Sequence, residues 1–257
     1  MVATPVYSKV ELEYMKSILA LKDFYVDKQV DLKFDFTYGN SIIHDARNIL
    51  VDRFLDSDCD YLFFIDSDMV FDPVTFDETL KTCFDDDKDI VAGICPKRQM
   101  DWEFLYYAIQ KGKKDLHNYN SVFNHTFKFT NEEVDLSKPL EIDEIGTGFM
   151  CIKRSLLEDL SKKITKKYAT EKRGKTELIT FFFDFSIDDK SKIFIGEDIN
   201  FCRVAKSFGY RIWMCPWVLI GHKGTYLYSA SFKEAFEVYK EYVISGEYKS
   251  NKLNYGY

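Results

Sequence analysis

Two aspartates one residue apart, Asp66 and Asp68, are the side chains of this sequence best placed to do chemistry. The apolar run 61–65 leads straight into them and predicts a strand that is buried on both faces. The carboxylates would then lie where that strand leaves the sheet, the edge at which open α/β folds bind ligands. Two carboxylates on such a turn can both reach one hard cation, Mg²⁺ or Mn²⁺. A lone Asp-x-Asp is more often only a polar strand end.

Two other groups of residues have side chains that could serve either a chemical or a purely structural role. Glu197 and Asp198 follow Gly196 at the start of a predicted helix, where acidic side chains also favour the positive end of the helix dipole. His222 lies between glycines, in a segment predicted to be a loop. Taken alone, such a histidine is more often a surface or capping residue than a metal ligand.

Composition limits the class of protein. The chain has 257 residues, 46% of them hydrophobic, which is enough for one sizeable core and predicts a single domain. The formal charge of −7 argues against a general nucleic-acid-binding protein. Six scattered cysteines without a Cys-x-x-Cys pair are expected to be reduced and mostly buried. With no secretion signal and no membrane-length apolar run, we expect a soluble, cytoplasmic protein without a membrane span.

The first half of the chain predicts alternating strands and helices. Strands are expected at 2–3, 31–36 and 61–65, with helices at 9–22 and around 46–54 between them. This β-α-β-α-β order is typical of a mostly parallel sheet with helices on its faces. Four sequences resemble capping boxes that would begin helices. They start at Ser8, Thr75, Ser155 and Ser231.

The rest of the chain is less regular. A strand is predicted at 89–95, two more flank the turn 146–148, and strand-like pieces occur at 181–185 and 193–195. The lysine-rich segment 162–175 is interpreted as a solvated helix end and loop. Gly209 is expected to end the helix that begins after Gly196. The segment 100–138 is assigned no structure.

Several of these segments together resemble the GT-A type glycosyltransferases, which use nucleotide sugars. The similarity is greatest to the small stand-alone members of phages and large DNA viruses, and it spans nearly the whole chain except 100–138. The segments that carry it are Thr4-Pro5, Ala46-Arg47-Asn48, Phe64 to Asp68, Gly93 to Lys97, Gly146 to Phe149, Gly196 to Asp198 with Phe201-Cys202, and Gly221 to Gly224.

The resemblance implies a Rossmann-like α/β domain over residues 1–257. Residues 1–98 would bind the nucleotide sugar, UDP-linked as the commonest choice, and 99–257 would bind a glycan or other hydroxyl acceptor. The metal ligands it implies are Asp68, Asp66 (which would alternatively hold the donor ribose) and His222, around Mn²⁺ or Mg²⁺. A bound cation would neutralise the charge that develops on the diphosphate leaving group.

The acidic pair takes a catalytic role under the same resemblance. In inverting enzymes of the class, an acidic residue at this position is the general base that accepts the proton of the acceptor hydroxyl. We favour Asp198 as the base, with Glu197 either as its helper or as a ligand of the acceptor. In a retaining enzyme the pair would only position the acceptor.

Further residues complete the predicted site. The donor side comprises Thr4, Pro5, Tyr7, Arg47, Ser67 and Lys223 in addition to Asp66. Arg47 would reach the nucleotide base or the phosphates of the donor. A role in capping a helix or in a surface ion pair is almost equally expected. The sugar and acceptor side comprises Lys97, Arg98, Trp102 and Gly148. The segment 100–138 is the candidate acceptor loop, and its rings are equally plausible as packing.

Two other functions fit parts of the sequence. Residues 63–70 also match the first motif of haloacid-dehalogenase-like phosphatases, with Asp66 as nucleophile. Against this, two βα units precede the motif, and the Gly-His-Lys-Gly segment would have no role. A non-catalytic module that binds a nucleotide sugar or glycan is the third possibility, for which two acidic pairs and a histidine would be unnecessary.

Overall fold

The computed structural model describes residues 1–28, 30–119, 134–172 and 174–245. In these ranges a short 3-10 helix spans Leu116–Tyr119. The α-helices are α1 (Leu12–Tyr25), α2 (Ile43–Leu55), α3 (Pro73–Asp85), α4 (Trp102–Gln110), α5 (Arg154–Lys163), α6 (Glu197–Ser207) and α7 (Phe232–Ile244).

The strands of the described residues form one central sheet and three small ones. They are β1 (Val2–Pro5), β2 (Phe34–Thr37), β3 (Tyr61–Ile65), β4 (Met69–Val70), β5 (Ile90–Ala92), β6 (Leu140–Ile142), β7 (Phe149–Lys153), β8 (Lys167–Lys172), β9 (Lys175–Thr180), β10 (Ser186–Ile187), β11 (Phe194–Ile195), β12 (Ile212–Met214), β13 (Leu219–Lys223) and β14 (Leu227–Ser231).

The central sheet has the order β2-β1-β3-β7-β5-β12-β6. Strands β2, β1, β3, β5 and β12 run in one direction, whereas β7 and β6 run against their neighbours. The largely parallel sheet predicted from the first half of the sequence is therefore confirmed. Because β2 and β3 lie on opposite sides of β1, the strand order reverses there. A crevice outside the carboxyl ends of the strands is expected at such a reversal.

Helices cover both faces of the sheet, as the sequence predicted. Along β3, Leu62 and Phe64 pack in a core with α2, α5, α6 and α7, whereas Phe63 and Ile65 pack in a second core with α1 and α3. Alternate side chains of one strand thus reach opposite faces, and both are apolar. This explains why β3 is a continuous apolar run.

Of the four predicted capping boxes, the last forms only in part, because the Ser231 amide donates to Asn118 Oδ1 and not to the Glu234 side chain. The Ser231 side chain accepts a hydrogen bond from the Glu234 amide and begins α7. The Glu11 amide instead donates to the Ser67 carbonyl, so α1 begins after Glu11 with no side-chain cap. Helix α3 begins earlier than predicted, at Pro73, and α5 begins before Ser155 with no side-chain cap. The N-cap of α3 is Asp72, whose side chain accepts from Thr75.

Other corrections concern strands. The lysine-rich segment begins with the end of α5, as predicted, but β8 and β9 then form an antiparallel hairpin in place of the predicted loop. The run 181–185 is not a strand, although Phe182 and Phe183 are buried in the core. The Gly221–Gly224 segment was predicted to be a loop, but its first three residues belong to β13.

Two expectations about the whole chain can be checked on the described residues. No helix among them is long and apolar enough to cross a membrane. The six cysteines are all unpaired and, apart from half-buried Cys95, buried, as predicted.

Gly93, just beyond β5, lets β13 lie close to the central sheet. A Cβ atom at this position would lie 2.2 Å from Ile220 Cδ1 and 2.9 Å from Val218 Cγ2. Both neighbours are buried, so they have little room to move aside. Hence a side chain at residue 93 would push β13, and with it His222, away from the sheet.

We expect Gly93→Ala to lower the free energy of unfolding by about 1–3 kcal/mol through overpacking. Ile220→Val removes the methyl group nearest to the added Cβ, so Gly93→Ala should cost less in the Ile220→Val background. Urea unfolding of the two single variants and the double variant measures this coupling. Additive effects would contradict the proposed contact.

Candidate functional site

The turn after β3 is held by main-chain hydrogen bonds from several parts of the chain. The Asp66 amide donates to the Gly148 carbonyl (3.0 Å), and the Met69 amide donates to the Asp66 carbonyl (3.0 Å). The Ser67 carbonyl accepts from Glu11, as described above. Strand β4, which completes this turn, then pairs antiparallel with β13. Main-chain hydrogen bonds and strand pairing therefore hold this acidic turn, residues 66–68, in place.

The β4–β13 pairing brings His222 to Asp68. In its register His222 lies opposite Met69, and the Lys223 amide donates to the Asp68 carbonyl at 2.8 Å. His222 Nε2 lies 3.2 Å from Asp68 Oδ2. Arg98 Nη1 lies 3.0 Å from the same oxygen. Two basic groups therefore converge on one carboxylate oxygen.

The hydrogen bond at the other nitrogen of His222 fits a cation site. His222 Nδ1 lies 2.9 Å from the Pro96 carbonyl oxygen, which can only accept, so Nδ1 carries the proton. In a neutral ring, Nε2 then presents a lone pair toward Asp68. Nitrogen and carboxylate oxygen together are a donor set suited to a divalent cation, and a carbonyl holding the other ring nitrogen is typical of metal-bound histidine.

The three predicted metal ligands do not form one ready cluster. Among the residues that the structure describes, no group of three His, Cys, Asp or Glu side chains is arranged to hold a metal ion. Both oxygens of Asp66 accept from Arg47 Nη2, at 2.9 and 3.2 Å. In this conformation Asp68 and His222 are the side chains that would hold a cation, and Asp66 is bound to Arg47.

Arg47 joins the acidic turn to the second acidic pair. Its Nε donates to Glu197 Oε1 at 3.3 Å, across 150 positions of the sequence. Only 3% of Arg47 is exposed, so the alternative that it pairs on the surface is wrong. Burial alone would lower the pKa of Arg47, but the Asp66 and Glu197 carboxylates outweigh it and raise that pKa. Arg47 is a buried, ionised bridge between the two acidic pairs.

Asp198 has a different environment from Glu197. Burial, reinforced by the Glu197 carboxylate, raises the pKa of Asp198. Its Oδ1 accepts from the Ile199 amide at 2.7 Å. Two glycines lie beside the Asp198 carboxyl group. A Cβ at Gly146 would lie 3.4 Å from Asp198 Oδ2, and one at Gly196 would lie 3.1 Å from Asp198 Oδ1. Asp198 is thus the member of the pair whose proton affinity is increased.

The predicted donor residues lie at the same edge of the sheet, in different surroundings. Pro5 ends β1 and is buried, and Thr4 Oγ1 bonds the Tyr14 hydroxyl at 2.6 Å in the core. Tyr7 is 63% exposed just beyond the strand. Ser67 is half-buried in the acidic turn, and Lys223 Nζ pairs with Glu13 at 2.9 Å.

On the predicted acceptor side, Arg98 and Gly148 contact the acidic turn. A Cβ at Gly148 would lie 3.3 Å from Asp66 Oδ2, so this glycine allows β7 to approach the carboxylate. Lys97 is exposed beyond β5. Trp102 begins α4 and is 69% exposed, whereas Tyr107 is packed in the core. Residues 120–133 of the candidate acceptor loop lie outside the described residues.

Sequence reasoning missed one contact and the burial of one residue. It did not pair Arg98 with Asp68, for which the sequence carries no local signal. It also missed that Arg47 is buried, although a signal existed, because Arg47, Leu50, Val51 and Phe54 are spaced along one face of α2. A charged residue in an apolar stripe needs a buried partner.

A cavity of about 640 Å³ opens away from this site. Its lining includes Met1 and Tyr61, at the amino ends of β1 and β3, together with Phe76, Leu80 and Phe84 of α3. The acidic turn and the Glu197–Asp198 pair do not line it. The cavity has charged residues of its own, among them Asp58, Asp77 and Lys81, but none of the predicted site residues lines it.

Comparison with known proteins gives no family. No family model and no curated protein matches this chain. Among solved structures, the chain is similar to the crystal structure of A197 from STIV, with 20% sequence identity and a TM-score of 0.49. That similarity covers 87% of this chain and 84% of the other. A likeness of this degree defines neither a family nor an activity.

The raised pKa of Asp198 predicts a pH-dependent loss of stability. The folded protein binds this proton more tightly than the unfolded chain, so stability falls as pH rises from the ordinary value of 3.8 through the raised native value. Asp198→Asn removes the ionisation. The variant should therefore be more stable than wild type at neutral pH, with the difference vanishing in acid.

Urea unfolding at a series of pH values measures the effect. The matched control is Asp189→Asn, which makes the same substitution at an exposed site in the β10–β11 hairpin. Its stability curve should follow that of wild type. A stability difference for Asp198→Asn that is constant with pH would contradict the assigned environment.

Proposed function

We propose that this chain is a metal-dependent glycosyltransferase of the GT-A type. It would move a sugar from a nucleotide-diphosphate sugar, with UDP the first candidate, to a hydroxyl group of a glycan or similar acceptor. The observation that carries the proposal is the meeting of two acidic pairs at the carboxyl edge of the sheet. One pair lies beside His222, and the other contains a carboxyl group of raised proton affinity.

The first pair supports binding of a diphosphate through a cation. Asp68 and His222 would hold Mn²⁺ or Mg²⁺, with the Pro96 carbonyl fixing the histidine ring. When bound, the cation would neutralise charge on the diphosphate leaving group. Arg98, which shares Asp68, adds a guanidinium at the same place, and guanidinium groups suit phosphate oxygens. Residues 1–98 contribute most of this donor side.

The second pair supports an inverting reaction with Asp198 as the base. Its carboxylate would accept the proton of the acceptor hydroxyl while that oxygen bonds to the anomeric carbon. The bond from that carbon to the diphosphate breaks, and its electron pair leaves on the phosphate oxygen. Glu197 is engaged by Arg47, so Asp198 is the better candidate for this role. A raised pKa also makes it a stronger base.

The phosphatase alternative is less well supported. It needs an Asp66 oxygen free to attack phosphorus, yet both oxygens accept from buried Arg47. The observed order β1-α1-β2-α2-β3 also leaves two βα units before the motif. A non-catalytic binding module would not need a carboxyl group with increased proton affinity beside the cleft. Turnover measurements separate these possibilities.

Asp68→Asn should abolish metal-dependent nucleotide binding. With Mn²⁺ and UDP or a UDP-sugar at 100 times Kd, the melting temperature of wild type should rise by roughly 5–10 °C. Asp68→Asn should show no such rise. The control Asp85→Asn makes the same change at an exposed residue that lines the cavity away from the site. Full stabilisation of Asp68→Asn would reject the cation site.

Asp198→Asn should lower kcat for sugar transfer by roughly 100- to 10,000-fold, the usual contribution of a general base. Nucleotide binding should be retained, because Asp198 is not one of the two side chains assigned to the cation, Asp68 and His222. Radiolabelled sugar transfer and calorimetry measure the two quantities, with Asp189→Asn as control. Unchanged transfer would remove Asp198 from the base role. Donor binding by wild type without any transfer to a panel of acceptors would favour the binding module.

A further inference from the structure

The guanidinium of Arg47 is placed more elaborately than an ordinary structural ion pair. Its Nη2 donates a hydrogen bond to Asp66 in the acidic turn, and its Nε donates one to Glu197, the first residue of α6. The ring of Phe64 lies 5.3 Å from its central carbon. The Arg47 side chain is 4% exposed, and those of Asp66 and Glu197 are 28% and 17% exposed. The cation is thus buried, while its two anions are partly exposed.

One donor group of Arg47 is left without an acceptor. Nη1 is buried and makes no hydrogen bond to any residue that the structure describes. An unpaired buried donor destabilises the folded state, so each such group in a native protein calls for an explanation. An arginine retained only for stability would be expected to satisfy all its N–H groups. The other nitrogens, Nε and Nη2, join Glu197 and Asp66, so Arg47 fixes the placement of these two carboxylates relative to each other.

We propose that Arg47 is a positioning residue that couples the donor side of the site to the base side. It holds Asp66 in the acidic turn and Glu197 at the start of α6 through one rigid planar group. A shift of either carboxylate moves the guanidinium, and so the other carboxylate. Binding of the nucleotide at the turn would thereby be linked to the arrangement of Glu197 and its neighbour Asp198. This inference rests on the proposed function.

Helix α2 contains a natural comparison for Arg47. Arg53, two turns further on, bonds Asp35 at 3.0 Å with a side chain that is 44% exposed. Exposed ion pairs of that kind contribute little to stability. The same helix thus carries one bridging arginine inside the site and one surface arginine outside it. Lysine keeps the charge of either residue but lacks the planar fork that joins two carboxylates.

The test compares Arg47→Lys with Arg53→Lys in the full chain. Calorimetry with Mn²⁺ and UDP measures donor affinity, and initial rates measure kcat and KM. We expect Arg47→Lys to raise the Kd for UDP and to lower kcat, each by roughly 10- to 100-fold, as for other residues that orient ligands. Arg53→Lys should match wild type in both. A lower melting temperature for Arg47→Lys with unchanged Kd and kcat would overturn the coupling.

A second variant keeps the test decisive if Arg47→Lys does not fold. Glu197→Gln leaves the ion pair between Arg47 and Asp66 in place and weakens only the interaction of Arg47 with residue 197 at the start of α6. Because linkage acts in both directions, its Kd for UDP should change by about fivefold or more. Glu144→Gln, which weakens the surface pair with Arg203, is the control. Unchanged UDP affinity in Glu197→Gln would also overturn the coupling.

Failure of the proposed function gives a different result. Wild type that binds none of the Mn²⁺ complexes of UDP, GDP, CMP and dTDP, or of their sugars, would reject both the glycosyltransferase and the coupling. Wild type that binds one of them, with Arg47→Lys equally tight and equally active, would reject only the coupling. Each outcome is read from binding as well as from turnover.

Discussion

The burial of one positive charge governs the arrangement of this site. Moving a guanidinium out of water costs several kcal/mol unless carboxylates and hydrogen bonds replace the lost solvent. Arg47 meets that requirement only when the turn after β3 and the first turn of α6 both reach it. The folded state therefore fixes the relation between elements that are 150 positions apart in the chain. A cost remains, because Nη1 has no hydrogen-bond partner in the part of the chain that the structure describes.

A second constraint is the pairing of β4 with β13. It has two paired positions, yet it carries a late segment of the chain back to the acidic turn. Gly93 permits the close approach of β13, and the Pro96 carbonyl sets the proton of His222 on Nδ1. Main-chain contacts thus determine which nitrogen of the histidine faces Asp68. The site residues lie at or near strand ends. Because strand pairing fixes the main chain there, it restricts the positions that their side chains can take.

Much of the fold could be predicted because the signals are local. The apolar run of β3, the helical spacing in α2 and the glycines around α6 each specify their own element. The failures have long-range causes. The Glu11 amide is taken by the Ser67 carbonyl, so the capping box at Ser8 never forms. The Gly-His-Lys-Gly segment becomes a strand only through pairing, which its glycines do not predict. The resemblance brought Asp68 and His222 together, as the structure does, but it did not identify Arg98 as the partner of Asp68 or Arg47 as the partner of Asp66 and Glu197.

Charge balance explains why the proposed donor would need a cation. Asp66, Asp68, Glu197 and Asp198 contribute four carboxyl groups, against the guanidinium groups of Arg47 and Arg98. A diphosphate brings further negative charge to this edge, in a chain whose formal charge is −7. Attraction at close range therefore requires added positive charge beside Asp68. On the proposed function, Asp68 and His222 would hold the cation that supplies this charge, and Arg98, which pairs with Asp68, would add its guanidinium beside the phosphates.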